Sequence, residues 1–348
     1  MWLKKINLIN FRNFEKKDFN LNPFLTIFFG DNAKGKTNLL EAIFCLSEGQ
    51  GFREQKEEEL IKFDKNEARI DGIYEEDRLK YKRTIYFNLS TDKLRKRYFI
   101  DGVEKRLSEF VKTAAKAVLF SPEQLEIVRG APEQRRNYFD RLISFYDGVY
   151  KRKINNYYQA LKKRNKILEL NNDIFKLKEN LVFWNQYLEE QATYIIKKRD
   201  EYIDFLNKNS QLDNQEFFVN YKKSLLNQER LTAVLEREMK YKKTLIGPQK
   251  DDFEVYLLEK NKKKNLHIFG SRSEQRLAIF WLKINEIKFY QEVFKKKPLV
   301  LLDDIFSELD FNNEKLIINL IKNYQTILTT TQPEILTLIE FPKTVIKL

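Results

Sequence analysis

Cysteine occurs once in these 348 residues, at Cys45, and histidine once, at His267. A single cysteine leaves no disulfide within the chain, which fits a reducing compartment such as the cytoplasm. One cysteine and one histidine are also too few soft or imidazole ligands for a structural zinc site. No apolar run approaches 18 residues, so no membrane-spanning helix is expected. Met1 to Asn10 alternates like a strand and lacks the apolar stretch of a secretory signal. Internal repeats and long low-complexity tracts are absent. Glycine is scarce, with 10 residues, beside abundant lysine, asparagine and phenylalanine. That bias carries no function, but it makes any glycine in a fixed pattern less expected by chance.

What is present begins with charge. The formal net charge is +13, which favours a polyanionic partner, either nucleic acid or an anionic membrane surface. The length allows two domains or one elaborated domain. A chain of this size buries roughly 75% of its unfolded surface on folding and needs no covalent staple.

The fold class expected is α/β: mixed β-sheets with an inserted helical arm. Met1 to Asn10, Phe19 to Asn22 and Leu25 to Phe29 read as strands, and Thr37 to Leu46 as a helix burying Leu39, Leu40, Ile43, Phe44 and Leu46. Ala68 to Ile73, Leu79 to Leu89 and Leu94 to Ile100 alternate and are rich in Tyr, Ile and Phe, with a turn at Asp101-Gly102, so they form a small antiparallel sheet. Ala117 to Phe120 is a short apolar strand. From Pro122 to Leu245 the apolar residues recur at helical spacing, which predicts an antiparallel helix pair with smaller helices around it. Gly247-Pro248 punctuates the return to the core. Phe253 to Leu258, Leu299 to Leu302, Thr326 to Thr330 and Thr344 to Leu348 read as strands, and Ser273 to Tyr290 as a helix.

Two motifs at opposite ends of the chain carry the chemistry. Gly30-Asp31-Asn32-Ala33-Lys34-Gly35-Lys36-Thr37 follows an apolar strand and opens a helix, matching G-x-x-x-x-G-K-[ST] at every fixed position. At average glycine usage a chance match in such a chain is on the order of one in a hundred. The two glycines let backbone N–H groups curl around a phosphate. Lys36 bridges the β- and γ-phosphates, the Thr37 hydroxyl ligates magnesium, and the helix N-terminus adds partial positive charge. Leu299-Val300-Leu301-Leu302 delivers Asp303-Asp304. Acidic residues after a strand are common, and alone this pair decides little. Beside a phosphate loop, Asp303 becomes the magnesium carboxylate and Asp304 the group that orients or deprotonates the attacking water. A lone aspartate is a poor base unless burial raises its pKa, so slow hydrolysis is expected. Gly270-Ser271-Arg272-Ser273-Glu274-Gln275-Arg276 opens a helix with a small polar head, which reads either as an ordinary N-cap or as an anion site. Ser307-Glu308-Leu309-Asp310 is equally consistent with a cap for the next helix.

Taken together these segments resemble the ABC-type ATPase heads of the SMC class and, more closely, the RecF family of bacterial recombinational repair proteins. The resemblance runs nearly end to end. It covers Ile6 to Phe14, Gly30 to Asn38 continuing into Leu39-Leu40-Glu41-Ala42-Ile43, Phe120 to Leu125, Arg135 to Asp140, Leu161 to Asn165, Gly247 to Phe253 and Leu301 to Asp310. It implies a discontinuous ATPase head of residues 1–121 and 246–348, and a helical clamp arm of residues 122–245. It also implies two copies joined by two ATP molecules with Mg2+, each nucleotide lying on one copy's phosphate loop and under the other's serine-led signature. Arg12, Gln124 and Asn38 would join the phosphate loop at the nucleotide. Ser271 would reach across to the γ-phosphate, and Asp310 would sit at the dimer seam. DNA would lie between the arms, with RecO and RecR as partners in loading recombinase at gaps. One departure stands out. The family signature Ser-x-Gly-Gln-Gln-Arg has Ser273 and Glu274 here in place of glycine and the first glutamine. At about 4 Å and an effective dielectric near 20, the Glu274 charge would oppose a phosphate by on the order of 4 kcal/mol per unit charge, unless Arg272 or Arg276 offsets it.

For DNA itself, Tyr150 to Leu168 contains no acidic residue. Lys151, Lys162 and Lys166 share one helical side, and Lys163 and Arg164 adjoin them, with Tyr157 and Tyr158 interleaved. A solvated helix face is the plainer alternative. Lys262-Lys263-Lys264 and Lys295-Lys296-Lys297 read as solvated turns. Nothing resembles a base-reading motif, so contacts to the backbone alone are expected. Three other readings stay open: a transporter-type ATPase, disfavoured by the long helical insert; a scaffold that binds ATP without turnover; and a nuclease-bearing relative, disfavoured because no further carboxylate or histidine cluster accompanies the core.

Overall fold

A computed structural model describes residues 1–53, 56–90, 93–170, 173–259, 262–307, 314–339 and 341–348. The chain divides into two compact units, Met1–Glu123 with Glu286–Leu348, and Gln124–Asn285.

The first unit is built on a five-stranded sheet in the order Lys343–Lys347, Leu25–Phe29, Thr326–Thr330, Leu299–Asp303, Ala117–Phe120, parallel throughout. The three central strands and Ala117–Phe120 are apolar or threonine-rich runs buried along almost their whole length, as a parallel sheet covered on both faces requires. A second sheet, antiparallel and six-stranded, runs Phe14–Asn20, Trp2–Phe11, Glu67–Glu76, Leu79–Ser90, Lys93–Ile100, Val103–Lys105. Its strands alternate, so that Leu3, Ile6, Leu8, Ile70, Ile85 and Phe87 point inward. The helix Lys36–Glu48 packs against strands of both sheets. That position explains why Leu39, Leu40, Ala42, Ile43, Cys45 and Leu46 are all fully buried and the helix has little polar face. Each large apolar side chain so buried contributes roughly 1.5–3 kcal/mol.

The second unit combines helices Pro132–Tyr146, Gly148–Leu170, Ile174–Lys208 and Gln228–Tyr241 with a four-stranded antiparallel sheet. The helices Gly148–Leu170 and Ile174–Lys208 are antiparallel: Arg164 meets Asn185, Lys153 meets Glu190, and Tyr150 meets Arg199. The segment 122–245 expected to be helical therefore needs a correction. Gln215–Lys222 within it is a strand, with Phe217 and Val219 inward at period two. The boundary moves with it. Asp252–Glu259 pairs along its length with Gln215–Lys222, so residues from 246 onward stay in the second unit, and the return to the first falls at Glu286 instead.

Buried ion pairs organise this unit. Arg199 is fully buried. It donates to both Asp140 carboxylate oxygens at 2.8 Å, to Asp251 Oδ2 at 2.6 Å and to the Pro248 carbonyl at 2.9 Å. Tyr221 Oη and the Ser224 N–H complete the shell of Asp251. The Gly247-Pro248-Gln249-Lys250-Asp251 segment is thereby pinned to two helices and a strand. Removing one partner of a buried pair leaves an uncompensated charge. Arg199→Met is accordingly expected to lower the stability of the second unit by about 3–5 kcal/mol in equilibrium denaturant unfolding. A loss below about 1 kcal/mol would show these carboxylates to be solvated instead.

Candidate functional site

The strand Leu25–Phe29 ends in a loop that exposes Asp31, Asn32, Ala33 and Lys34, then turns into the helix through Gly35. Gly35 has φ 97°, and a Cβ there would lie 2.5 Å from the Asn13 amide, so only glycine fits. Asn13 Nδ2 donates to the Lys34 carbonyl at 3.3 Å, and Asn38 Nδ2 donates to Asn13 Oδ1 at 2.8 Å. Lys36 is buried and holds its ammonium across the loop, donating to the Gly30 and Asp31 carbonyls at 2.7 and 2.8 Å.

Asp303 closes the strand Leu299–Asp303 beside this loop. Thr37 Oγ1 donates to its Oδ1 at 3.1 Å, and Thr329 Oγ1, from the intervening strand, donates to the same oxygen at 2.7 Å. Burial pushes the Asp303 carboxyl above its ordinary range, and the two hydroxyls with the nearby Arg53 cation offset part of that rise. Asp304 follows in a left-handed conformation, φ 47°, its N–H donating to the Thr329 carbonyl and hydroxyl, both at 3.1 Å. That sharp turn takes Asp304 off the strand direction.

Arg12 lies beside the loop helix. Its Nε donates to Glu41 Oε2 at 2.9 Å. Arg53 donates to Asn38 Oδ1 at 2.9 Å and stands 3.7 Å from the same Glu41 oxygen. Sequence reading missed Arg53 and Glu41. Arg53 belongs to no recognisable motif. Glu41 did leave a signal: it stands between Leu40 and Ala42 on a helix face that must be buried, and a buried carboxylate requires a cation.

These atoms suit a triphosphate and a hard divalent cation. A loop bounded by Gly30 and Gly35 at a helix start offers backbone N–H groups that fit phosphate. A hydroxyl and a carboxylate are the oxygen donors magnesium accepts, and magnesium typically takes only one or two carboxylates from protein. Among the described residues no cluster of three or more His, Cys, Asp or Glu side chains could form a self-sufficient metal cage.

Comparison with known proteins agrees. The family model "RecF/RecN/SMC N terminal domain" matches residues 2–347. A DNA replication and repair protein RecF of Clostridium botulinum (strain Okra / Type B1) is 33% identical over 347 residues, covering 95% of this chain and 93% of the relative. The RecF of Clostridium perfringens (strain SM101 / Type A) is 34% identical over 353 residues, with 97% and 95% covered. The chain belongs to the RecF family. A solved structure described as the recombination mediator protein RecF-ATP in the RecFOR pathway superposes with TM-score 0.83 at 30% identity, covering 95% of this chain and 92% of that one. An Smc head bound to the C-winged helix domain of ScpA, at 16% identity and TM-score 0.51, shares the fold.

The remaining residues expected at the site lie in the second unit or outside the described residues. Gln124 is half-buried in a short 3₁₀ turn, Pro122–Leu125. Asp310 lies outside the described residues. Ser271 is exposed at the start of the helix Arg272–Phe294 and forms a reciprocal cap with Glu274. The Ser271 N–H donates to Glu274 Oε2 at 2.7 Å, and the Glu274 N–H donates to Ser271 Oγ at 3.3 Å. Lys264 pairs with the same carboxylate at 2.6 Å. Partial burial opposes ionisation of Glu274, but Lys264 and Ser271 outweigh it and hold the carboxyl below its ordinary range.

The arm lysines divide. Lys151 and Lys162 are exposed on the helix Gly148–Leu170 and make no ion pair among the described residues. Lys166 is exposed and pairs loosely with Glu169 at 3.3 Å. Lys163 lies over the Trp184 ring at 5.3 Å. Arg164 must be withdrawn as a DNA contact. It is fully buried, donating to Glu238, Thr244 and Asn185 at 2.7–2.8 Å. Two positions beyond Lys162, the helix has turned its side chain to the core.

Lys36→Ala is expected to weaken nucleoside triphosphate binding by at least about tenfold, the range of one charge-assisted hydrogen bond. Calorimetry showing unchanged affinity would remove the loop from the site. Because the folded pKa of Glu274 is depressed, its cap stabilises fully above the unfolded value of about 4.3, and the contribution is lost as pH falls through the lower folded value. The melting temperatures of the native chain and Glu274→Gln should therefore differ at pH 7 and converge towards pH 3. A gap independent of pH would show that the charge is not what matters.

Proposed function

We propose that this chain is an ATP-dependent DNA-binding protein of recombinational repair in which nucleotide joins two copies and their arms enclose DNA, either duplex or a gap junction. The oxygen cluster of Thr37, Asp303 and Thr329 beside the phosphate loop carries this reading, because it is the donor set a magnesium–triphosphate needs and it lies in a chain matched end to end by a family with an ATP-bound member. Lys36 and the loop N–H groups from Gly30 to Thr37 would bind the phosphates, with Asn38 and Arg12 beside them, and Thr37 and Asp303 would hold magnesium. Bound there, magnesium neutralises charge on the phosphoryl oxygens. Asp304 would orient the attacking water, and a weak carboxylate base makes the turnover slow.

Each nucleotide would face the phosphate loop of one copy and the Ser271 segment of the other, with Asp310 at the seam and Gln124 contributing to the nucleotide site. Lys151, Lys162, Lys163 and Lys166 would meet DNA phosphates without reading bases. The RecFOR pathway of the solved relative supports RecO and RecR as partners in placing recombinase at gaps, and the lone cysteine suits work in the cytoplasm. A second reading also has an observation behind it. The N–H and hydroxyl of Ser271 are both engaged by Glu274, which would suit a scaffold that binds ATP without turning it over.

Sedimentation velocity with ATP, ADP and no nucleotide tests the pairing. The native chain should dimerise with ATP alone, and Ser271→Arg should bind ATP yet stay monomeric. Persistence of the dimer in that variant would move Ser271 away from the seam. Single-turnover hydrolysis with Asp304→Asn as control separates a slow ATPase from the scaffold.

A further inference from the structure

We propose that the groove between the helix Ile174–Lys208 and the loop leading into Gln228–Tyr241, within the second unit, docks a basic amphipathic segment of another protein. It uses no residue assigned above to nucleotide, to the pairing of two copies or to DNA.

One stripe of the long helix forms a wall of the groove. Glu189, Thr193, Ile196, Asp200 and Asp204 recur at spacings of three and four, so they share a face that runs about 22 Å along the helix axis. The facing wall is the loop 223–227, and it is held in place. The Ser224 N–H donates to Asp251 Oδ1 at 2.7 Å, Leu226 is buried, and Asn227 Oδ1 accepts from the Arg230 N–H at 2.9 Å. Leu225 stands among these anchors and is nevertheless 45% exposed. With Ile196 and Leu226 it gives the groove an apolar floor, and the space between the walls is about 430 Å³.

Charge names the occupant. Four carboxylates, those of Glu189, Asp200, Glu201 and Asp204, line the groove against a single lysine, Lys197. The chain as a whole carries +13, so the sign is reversed here. Such a rim repels a phosphate backbone or an anionic lipid surface and attracts lysine and arginine. Neighbouring lysines neutralise only part of it. Lys223 pairs with Asp200 and Lys198 with Glu201, each at 2.6 Å. All four side chains are partly exposed, and surface pairs of this kind yield readily to another cation. Glu189 and Asp204 make no ion pair among the described residues. An apolar floor between acidic rims takes a helix with apolar anchors on one face and cations beside them. Because the loop is already fixed, docking has little left to order.

The test is fluorescence anisotropy on the whole protein, without nucleotide, using a labelled synthetic peptide of about 15 residues, the length of the stripe. It carries leucine at helical spacing and lysine elsewhere. A shuffled peptide of the same composition and a peptide with glutamate in place of lysine are the controls. The patterned basic peptide should bind at least about tenfold more tightly than either. Leu225→Ser should weaken it at least about tenfold, the low end for one leucine withdrawn from a contact. Glu189→Lys combined with Asp204→Lys should weaken it too and flatten its salt dependence. None of these three side chains is buried, so an unchanged melting temperature confirms each variant's fold. Equal affinity for the three peptides, no binding of the patterned one, or unaltered binding in Leu225→Ser would each overturn the proposal. Self-association of the native chain without nucleotide or peptide, lost in Leu225→Ser, would give the groove to a second copy and overturn it likewise. The peptide is measured without ATP, so this assignment and ATP-dependent pairing fail separately.

Discussion

The hydrogen bond from Thr37 to Asp303 joins residues 266 positions apart, and the first unit is arranged around making it possible. Strand order does the work. Leu25–Phe29 and Leu299–Asp303 flank Thr326–Thr330, so the loop after the first strand and the carboxylate ending the second meet at one sheet edge, with Thr329 between them. Open parallel sheets place ligands at this carboxyl edge. Asp303 has little solvent to keep it ionised, and burial raises its pKa. Two hydroxyls and a neighbouring arginine only partly offset that rise. A carboxylate in this condition favours a further positive charge beside it, which is what a divalent ion supplies. Closing so long a loop costs only slightly more than closing a short one, so an insert of this size between the two motifs is thermodynamically tolerable.

The second unit uses buried charge for a different end. Arg199 and Arg164 are both fully enclosed, each by a carboxylate and further acceptors. Such pairs are poor sources of net stability beside apolar packing, but they fix which partners can meet. Here they fix the Gly247–Asp251 segment and the base of the helix Gln228–Tyr241. The Gly-Pro segment, one of those that carry the family resemblance, therefore anchors elements of the second unit. Its Asp251 is fully buried in that anchor, bonded to Arg199, Tyr221 and the Ser224 N–H.

Legibility followed physical period. The strands Leu25–Phe29, Leu299–Asp303, Thr326–Thr330 and Ala117–Phe120 of the parallel sheet are plain because burial on both faces demands short unbroken runs of apolar or threonine residues. The phosphate loop was plain because its glycine spacing is a steric requirement. Gln215–Lys222 was hidden because its alternation is one short stretch among long helical windows. The domain return at Glu286 was hidden because it depends on pairing between strands, which no local pattern reports. Arg164 was misread because a basic run on a helix carries no label for which of its members turns inward. Only the acidic residue at Glu238, far along the chain, makes the burial possible. Arg53 was missed for the complementary reason: its partners, Asn38 and Glu41, lie on the preceding helix, and its position beside Asp303 is purely tertiary.

The altered signature shows how a charge argument changes once partners are known. Counted alone, Glu274 sets a negative charge where a phosphate would approach. In the fold its carboxylate is bonded to the Ser271 N–H and paired with Lys264 at 2.6 Å, so the local charge is close to neutral. The compensation comes from the strand Lys262–Asn265, whose lysines resemble an ordinary solvated turn in sequence. The departure from glycine and glutamine thus exchanges a flexible, open helix start for a capped one that a neighbouring lysine discharges. Phosphate engagement at Ser271 then requires competition with an internal carboxylate, not repulsion by an unpaired one. An anion arriving at Ser271 would have to displace the Glu274 carboxylate from the Ser271 N–H before it could accept that bond itself.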